Sequence, residues 1–312
     1  LLDEDSAIKA LVSAAGAMYS AGELPLFDDA AAVKVGDSVL IIKIDGTSER
    51  YSRYGWMGLD DLVYRVLAAA ATDVIAKGGR PEYVTVSVGI PPTYGLDSVR
   101  RIGEGIRDFL NACGATLLGG DTNASTEDLG VWVDAAVIGR AVELKPITGV
   151  VEGDTLCVTG CLGLSALPAL THYAGLDESV LDEKLKSALR RPRIPLNFLD
   201  MLGVVKASTD ISDGLRSIRR MLELNGLSLE LSEDLPLCPE VAEVMVDHGI
   251  SAEEVLRYMG EEFIIAYVPR EGVGRERNVV GRFVRGAPGV ISFRGREVAG
   301  GWDNFRGYIG RT

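Results

Sequence analysis

Between Val39 and Gly139 the chain switches repeatedly between two periodicities, and this alternation constrains the fold more than any other feature. Val39-Leu-Ile-Ile-Lys-Ile-Asp45-Gly46 is a β-branched run closed by Asp-Gly, the pattern of a buried strand. Leu59 to Lys77 carries apolar residues three and four apart and stops at Gly78-Gly79, which predicts a helix with its C-cap. Tyr83 to Ile90 alternates as a strand up to Pro91-Pro92. Ser98 to Gly114 is an amphipathic helix with Ile102, Ile106, Phe109, Leu110 and Cys113 inward. Ala115 to Thr122 and Val131 to Gly139 supply two more strands. Strand, helix, strand, helix, strand, strand is an α+β pattern. Residues 1–20 add a helical pattern with Ile8, Leu11, Val12 and Met18, and Thr47 to Gly58 reads as a mobile loop rich in Ser, Arg, Tyr and Gly.

A chain of 312 residues with 47% hydrophobic content can bury a large core and is expected to form two domains. The composition shifts to a short Pro/Gly link between Pro146 and Gly153, so the boundary is placed there, giving domains 1–145 and 146–312. Beyond it, Asp154 to Thr159 reads as a strand, Gly160-Cys-Leu-Gly163 leads into a helix, and Ala207 to Leu215 reads as a strand end followed by a helix start.

The net charge of −13 and the lack of any basic cluster argue against nucleic acid or an anionic membrane as a partner. Apolar runs are too short or too interrupted by charge to span a bilayer, and no signal-peptide pattern opens the chain. The four cysteines, Cys113, Cys157, Cys161 and Cys238, form no Cys-x-x-Cys pair, so a reduced, cytoplasmic, soluble protein is expected. The two histidines, His172 and His248, fall at helix ends, which disfavours a Ser-His-Asp mechanism or a histidine zinc site.

What the chain does offer is aspartate at the ends of apolar runs. Ala115-Thr-Leu-Leu-Gly119-Gly120-Asp121-Thr122 ends in two glycines that can admit a phosphate, followed by a carboxylate that would repel it unless a cation lay between. A nucleotide held through Mg2+ satisfies both halves, and an incidental strand-to-loop turn is the plain alternative. Asp28-Asp29 is an acidic pair in an apolar segment. Asp45 closes a strand, and Asp73 falls on the apolar stripe of the Leu59–Lys77 helix. Asp210 and Asp213 flank Ser212, where Ser212 or Asp213 can equally serve as a helix cap. Arg140 and Lys145 are candidate phosphate contacts. No Gly-x4-Gly-Lys-Ser/Thr loop and no Gly-x-Gly-x-x-Gly helix start is present, so a nucleotide site must rest on carboxylates and metal.

The order Asp28-Asp-Ala, strand-Asp45, helix-Asp73-x5-Gly, Gly119-Gly-Asp-Thr, Gly153-Asp-x-Leu-x-Val-Thr-Gly, Asp210-Ile-Ser-Asp-Gly-Leu and Gly260-Glu-Glu resembles the thiamine-monophosphate kinase family. That family belongs to the superfamily of aminoimidazole-ribonucleotide synthetase and selenophosphate synthetase. The resemblance runs from about Phe27 to Phe305, and the closing Gly301-Trp302-Asp-Asn-Phe is similar to the kinases' own ending. It implies an N-terminal α/β sheet domain that dimerises into a β-barrel, a C-terminal α/β sandwich domain, and a cytoplasmic homodimer. It implies Mg2+-dependent transfer of the ATP γ-phosphoryl group to thiamine monophosphate. Asp28, Asp29, Asp45, Asp73, Asp121, Asp210 and Asp213 correspond to metal-binding aspartates, with Asp121 and Asp213 as the catalytic pair. Gly119, Gly120, Asp121 and Ser212 correspond to nucleotide contacts, with Lys145 added as a phosphate contact. Glu261 and Trp302 correspond to residues near the thiamine, where Trp302 would stack on a cationic ring. Ser52 stands where the kinases carry a substrate-binding His, and Met259-Gly-Glu-Glu replaces their Gly-Gly-Glu-Asp. The alternatives are another ATP-using synthetase of the superfamily and a nucleotide-binding paralogue without turnover.

Overall fold

The computed structural model describes residues 2–16, 20, 22–271 and 278–309; Met18 lies outside them. The elements run α1 (Glu4–Ala15), β1 (Ala31–Val35), β2 (Ser38–Ser48), α2 (Glu49–Ser52), α3 (Leu59–Ala76), β3 (Gly79–Ile90), α4 (Leu96–Cys113), β4 (Thr116–Ala124) and β5 (Trp132–Ala141). They continue with β6 (Thr155–Val158), α5 (Ala166–Tyr173), α6 (Glu183–Arg190), β7 (Val205–Ile211), α7 (Leu215–Asn225), β8 (Ser228–Leu231), α8 (Pro239–His248) and α9 (Ala252–Tyr258). The chain closes with β9 (Glu262–Pro269), β10 (Val279–Val284), β11 (Ile291–Phe293), β12 (Arg296–Glu297), β13 (Trp302–Asp303) and β14 (Gly307–Tyr308).

Two compact units result. One comprises 29–144 and 183–200, the other 1–28, 145–182 and 201–312. This differs from a single cut at 145/146 in two stretches, each for a visible reason. Residues 1–28 join the later unit because Glu4 and Asp5 of α1 pair with Arg216. Residues 183–200 join the earlier one because Arg191 pairs with Asp60 at 2.6 Å and the Tyr64 hydroxyl donates to the Pro192 carbonyl at 3.1 Å.

The earlier unit is a five-stranded sheet ordered β1-β2-β5-β3-β4, parallel only between β3 and β4. α3 is buried nearly all round, every residue except Asp60 and Ala69, and lies against β2, β3, β5 and α4. The later unit carries a seven-stranded mixed sheet ordered β12-β11-β8-β10-β6-β9-β7 and a separate β13–β14 hairpin. Among the described residues no helix is long and apolar enough to cross a membrane.

Three expectations are corrected. The 47–58 segment is not all loop: β2 runs through Ser48, α2 follows at once, and only 53–58 is irregular. Glu49 ties it down, accepting from the Tyr94 hydroxyl at 3.0 Å and the Val131 amide at 3.1 Å while pairing with Arg53 at 2.8 Å. Gly119 to Thr122 sit within β4 rather than at a strand tip. The cysteines are not all reduced. Cys161 and Cys238 form a disulfide across 77 residues, brought together where Leu162 bridges Leu237. Cys113 and Cys157 lie outside this disulfide and are buried, as small apolar groups.

Candidate active site

In the five-stranded unit the candidate residues fall into two sets on opposite faces of the sheet. Asp29, at the entrance to β1, and Asp73, on α3, are both buried and place carboxylate oxygens within 4.8 Å of each other. Two carboxylates this close repel unless cations offset them. Here Lys77 reaches Asp29 at 2.9 Å, and Lys43 reaches Asp73 at 2.8 Å and Asp45 at 3.6 Å. Asp29, Asp45 and Asp73 therefore share one charged cluster, and Lys43 and Lys77 are the members that sequence reasoning missed. Lys43 was visible as the single charge inside the β2 apolar run. A donor set of carboxylate oxygens suits a hard divalent ion such as Mg2+.

Asp121 lies elsewhere. Registers place Gly46, Asp134, Ser87 and Asp121 in one row across β2, β5, β3 and β4. That row lies on the face opposite the buried Val84, Val86 and Val88, whereas Asp45, one residue along, points to the other face. Three strand spacings also put Asp121 roughly 14 Å from Gly46. Asp121 is exposed and accepts from Asn123 Nδ2 at 2.7 Å. The glycines before it have a structural reason: a Cβ on Gly120 would stand 1.9 Å from the Val86 carbonyl, and Gly119 has φ +141°. Asp134 is a further acid on this row that sequence reasoning passed over, its carboxyl raised above the usual range by burial. On the α2 side, the Ser52 hydroxyl is 2.7 Å from that of Thr47.

In the seven-stranded unit Asp210 stands one residue before the end of β7; it is buried and accepts from the Ser212 amide at 2.8 Å. Gly214, not Ser212 or Asp213, occupies the N-cap of α7. Asp213 lies 3.3 Å from Arg216, and burial pushes its carboxyl up to about 7 despite that cation. Glu261 adopts a left-handed φ of 52° and donates its amide to the Ser212 carbonyl, which fixes the start of β9 against the Asp210–Asp213 turn. Its neighbour Glu262 is buried and accepts from the Gly163 amide at 3.0 Å, the Ser165 amide at 3.1 Å and the Ser165 hydroxyl at 2.7 Å. Trp302 donates its amide to the Asp213 carbonyl at 3.1 Å. Tyr308 lies edge-on to its indole at 5.1 Å and Tyr173 at 6.3 Å, an aromatic group that the sequence disclosed only through Trp302.

Three expected site residues have other duties. Lys145 is buried and donates to the Val205 carbonyl at 3.0 Å, so its ammonium anchors β7 instead of facing a phosphate. Asp28 accepts from the Ile147 amide at 3.0 Å, within the seven-stranded unit, which leaves Asp29 as the member of the pair in the carboxylate cluster. Arg140 is engaged with Glu82 and Ser38.

Residues 27–141 match the AIR synthase related protein N-terminal domain, and residues 151–276 match the corresponding C-terminal domain. The thiamine-monophosphate kinase of Halobacterium salinarum is 31% identical over 282 residues, covering 87% of both chains. The chain belongs to the thiamine-monophosphate kinase family. Its relative from Pyrococcus horikoshii, also a thiamine-monophosphate kinase, is 28% identical and covers 90% of this chain and 91% of its own. Among solved structures, AaThiL complexed with AMPPCP and TMP superposes with a TM-score of 0.84 at 21% identity, covering 97% of both chains. The tt0281 protein from Thermus thermophilus superposes at 0.80 with 27% identity, covering 95% of this chain and 97% of its own. The α+β two-domain architecture of the family is thus the architecture of this chain.

Proposed function

We propose that this protein transfers the γ-phosphoryl group of ATP to thiamine monophosphate, giving thiamine diphosphate and ADP. The observation that carries the reading is the match, over nearly the whole chain, to relatives named for that reaction. The similar protein AaThiL was solved with AMPPCP and TMP, an ATP analogue and a monophosphate, and that pair fits the two substrates of such a transfer.

The chain's own residues suit the chemistry. The buried Asp29–Asp73 pair, with Asp45 beside it, would hold Mg2+ in the five-stranded unit, and Asp210 and Asp213 would do so in the seven-stranded unit. Magnesium there would offset polyphosphate charge and polarise the transferring group. Lys43 and Lys77 fix the carboxylates in place beforehand, so little reorganisation accompanies binding. An oxygen of the acceptor's phosphate then attacks the γ-phosphorus, and the bond from that phosphorus to the β,γ-bridging oxygen breaks as ADP leaves. Positioning and electrostatics suffice for this step, and no histidine is needed. Trp302, with Tyr308 and Tyr173 around it, offers a ring face to the cationic thiazolium, and Glu261 contributes a polar contact to the acceptor. The exposed strand β4, bearing Gly119, Gly120 and Asp121, is a free sheet edge that pairing of two copies into a barrel would cover.

The test is direct. Purified protein is incubated with Mg-ATP and thiamine monophosphate, and thiamine diphosphate is sought by chromatography. Product that requires both the acceptor and the metal supports the kinase. ATP binding with no product would overturn the acceptor assignment and favour a paralogue without this turnover.

A further inference from the structure

Three donors of the seven-stranded unit converge on one oxygen, Glu4 Oε2. Arg216 Nη1 approaches it at 2.6 Å, the Asn304 amide at 3.2 Å and Asn304 Nδ2 at 3.1 Å. Each donor leads on to a residue used in the proposed reaction. Arg216 Nη1 also lies 3.3 Å from Asp213 Oδ2, and the guanidinium is buried. Asn304 Oδ1 accepts from the indole Nε1 of Trp302 at 2.9 Å.

Asp213 and Trp302 are already joined by the main chain, through the Trp302 amide and the Asp213 carbonyl at 3.1 Å. Gly301 makes this possible: its φ is +90°, and a Cβ there would stand 2.3 Å from that carbonyl. Backbone contact fixes the two residues' spacing but not the direction of either side chain. The side chains are oriented from the other side, by Glu4.

The helix that carries Glu4 has an unusual attachment. None of the residues of α1 is buried, and Leu11 is exposed. Its polar ties gather at this junction: the Glu4 amide to Asp303 at 3.3 Å, Asp5 to Arg216 at 2.7 Å, and Asp3 to Arg306 at 2.8 Å. A helix that fully buries no side chain, with only Ala7, Ile8 and Val12 half-buried among its apolar residues, contributes little to the core. What it delivers is a carboxylate.

We propose that Glu4 is a positioning residue of the kinase reaction, setting the Trp302 indole through Asn304 and the Asp213 carboxylate through Arg216 from a single oxygen. The proposal rests on the reading of Trp302 as an acceptor contact and Asp213 as a metal-binding group. Loss of Glu4 then loosens acceptor binding and the transfer step together, and more than it weakens ATP binding.

The test compares wild type, Glu4→Ala, Glu4→Gln and, as a control on the same helix, Lys9→Ala. Steady-state constants for both substrates and the melting temperature are measured. The Trp302 indole N–H resonance, assigned with Trp302→Phe, is followed in parallel. Loss of one charge-assisted contact predicts a rise of about tenfold in KM for thiamine monophosphate in Glu4→Ala, with a fall in kcat. KM for ATP rises by a smaller factor, and the Trp302 indole resonance moves. Glu4→Gln, which keeps an acceptor for Asn304 but not the charge facing Arg216, falls between the two, and Lys9→Ala matches wild type. An active wild type with unchanged acceptor KM and an unmoved indole resonance in Glu4→Ala overturns the proposal alone. Both KM values rising by the same factor, with a drop in melting temperature, also overturns it, by reducing Glu4 to an anchor. A wild type that forms no thiamine diphosphate overturns the functional reading and this proposal with it.

Discussion

The Lys77 ammonium lies 2.9 Å from the Asp29 carboxylate, and both side chains are sealed from solvent. Lys77 is the C-cap of α3 and Asp29 leads into β1, so the pair ties the end of the helix to the entrance of the sheet. Removing one member of a buried pair leaves the other charge with less compensation, which typically costs about 3–5 kcal/mol, so Lys77→Met is expected to lose that much. Urea denaturation of the metal-free protein measures it. Because Asp29 is then short of a cation, added Mg2+ should restore more stability to Lys77→Met than to wild type. Equal responses to Mg2+ would remove Asp29 from the metal-binding set.

Asp73→Asn and Asp121→Asn should separate the two faces of the sheet. Asp73 is buried and paired with Lys43, so its neutral variant should lose both stability and activity. Asp121 is exposed on β4, where surface substitutions change stability by less than about 0.5 kcal/mol. If Asp121 acts on the nucleotide or its metal, Asp121→Asn loses activity by about a hundredfold or more with an unchanged melting curve. Thiamine diphosphate formation and calorimetry on the two variants check this, and an Asp121→Asn enzyme of full activity would confine Asp121 to the scaffold.

Much of this was legible in the chain because it is local. The period change at Leu59 and the Gly78-Gly79 stop gave α3, and the anomaly of Asp73 on its apolar stripe marked the charged cluster. What was not legible depends on long-range register. Lys43 meets Asp73 only because β2 lies under α3, and nothing in either segment shows that. Asp45 and Asp121 look alike in sequence, each at the end of an apolar run, yet the side-chain alternation and strand order put them on opposite faces. Lys145 looked like an exposed cation following a strand, and packing against the start of β7 made it an internal anchor. The N-terminal helical pattern was visible, but its attachment through Arg216 and Asn304 spans most of the chain's length.

The Cys161–Cys238 bond closes a long loop between the turn after β6 and the start of α8. In the chain-entropy account, a loop of this size stabilises the fold by about 4 kcal/mol. Wild type under reducing conditions should therefore unfold at a lower urea concentration, matching a Cys161→Ser/Cys238→Ser double variant. The reductant should leave that variant unmoved. The turn involved is also the one held by Glu262 through Gly163 and Ser165, so the loss should be partial rather than total. A wild type indifferent to reductant would show that the bond does not form in solution.

Asp213 gives the protein a pH dependence of definite sign. Its carboxyl is raised to about 7 in the folded state, chiefly by burial, from an ordinary value of 3.8. The native state therefore holds this proton more tightly than the unfolded chain does. The stability gained from it is complete below about pH 4, declines as the pH rises through about 7, and is gone above that. Asp213→Asn cannot ionise and should escape the decline, while Arg216 keeps Glu4 and Asp5 as partners. Urea midpoints in metal-free buffer should coincide for the two proteins near pH 4 and separate by pH 8, with the variant the more stable. A tenfold difference in proton affinity between the folded and unfolded states is worth about 1.4 kcal/mol, so the gap should reach a few kcal/mol. Added Mg2+ should narrow it, since a cation at Asp213 favours its ionised form. Parallel pH profiles for variant and wild type would mean that Asp213 is ionised throughout this range, with Arg216 outweighing burial.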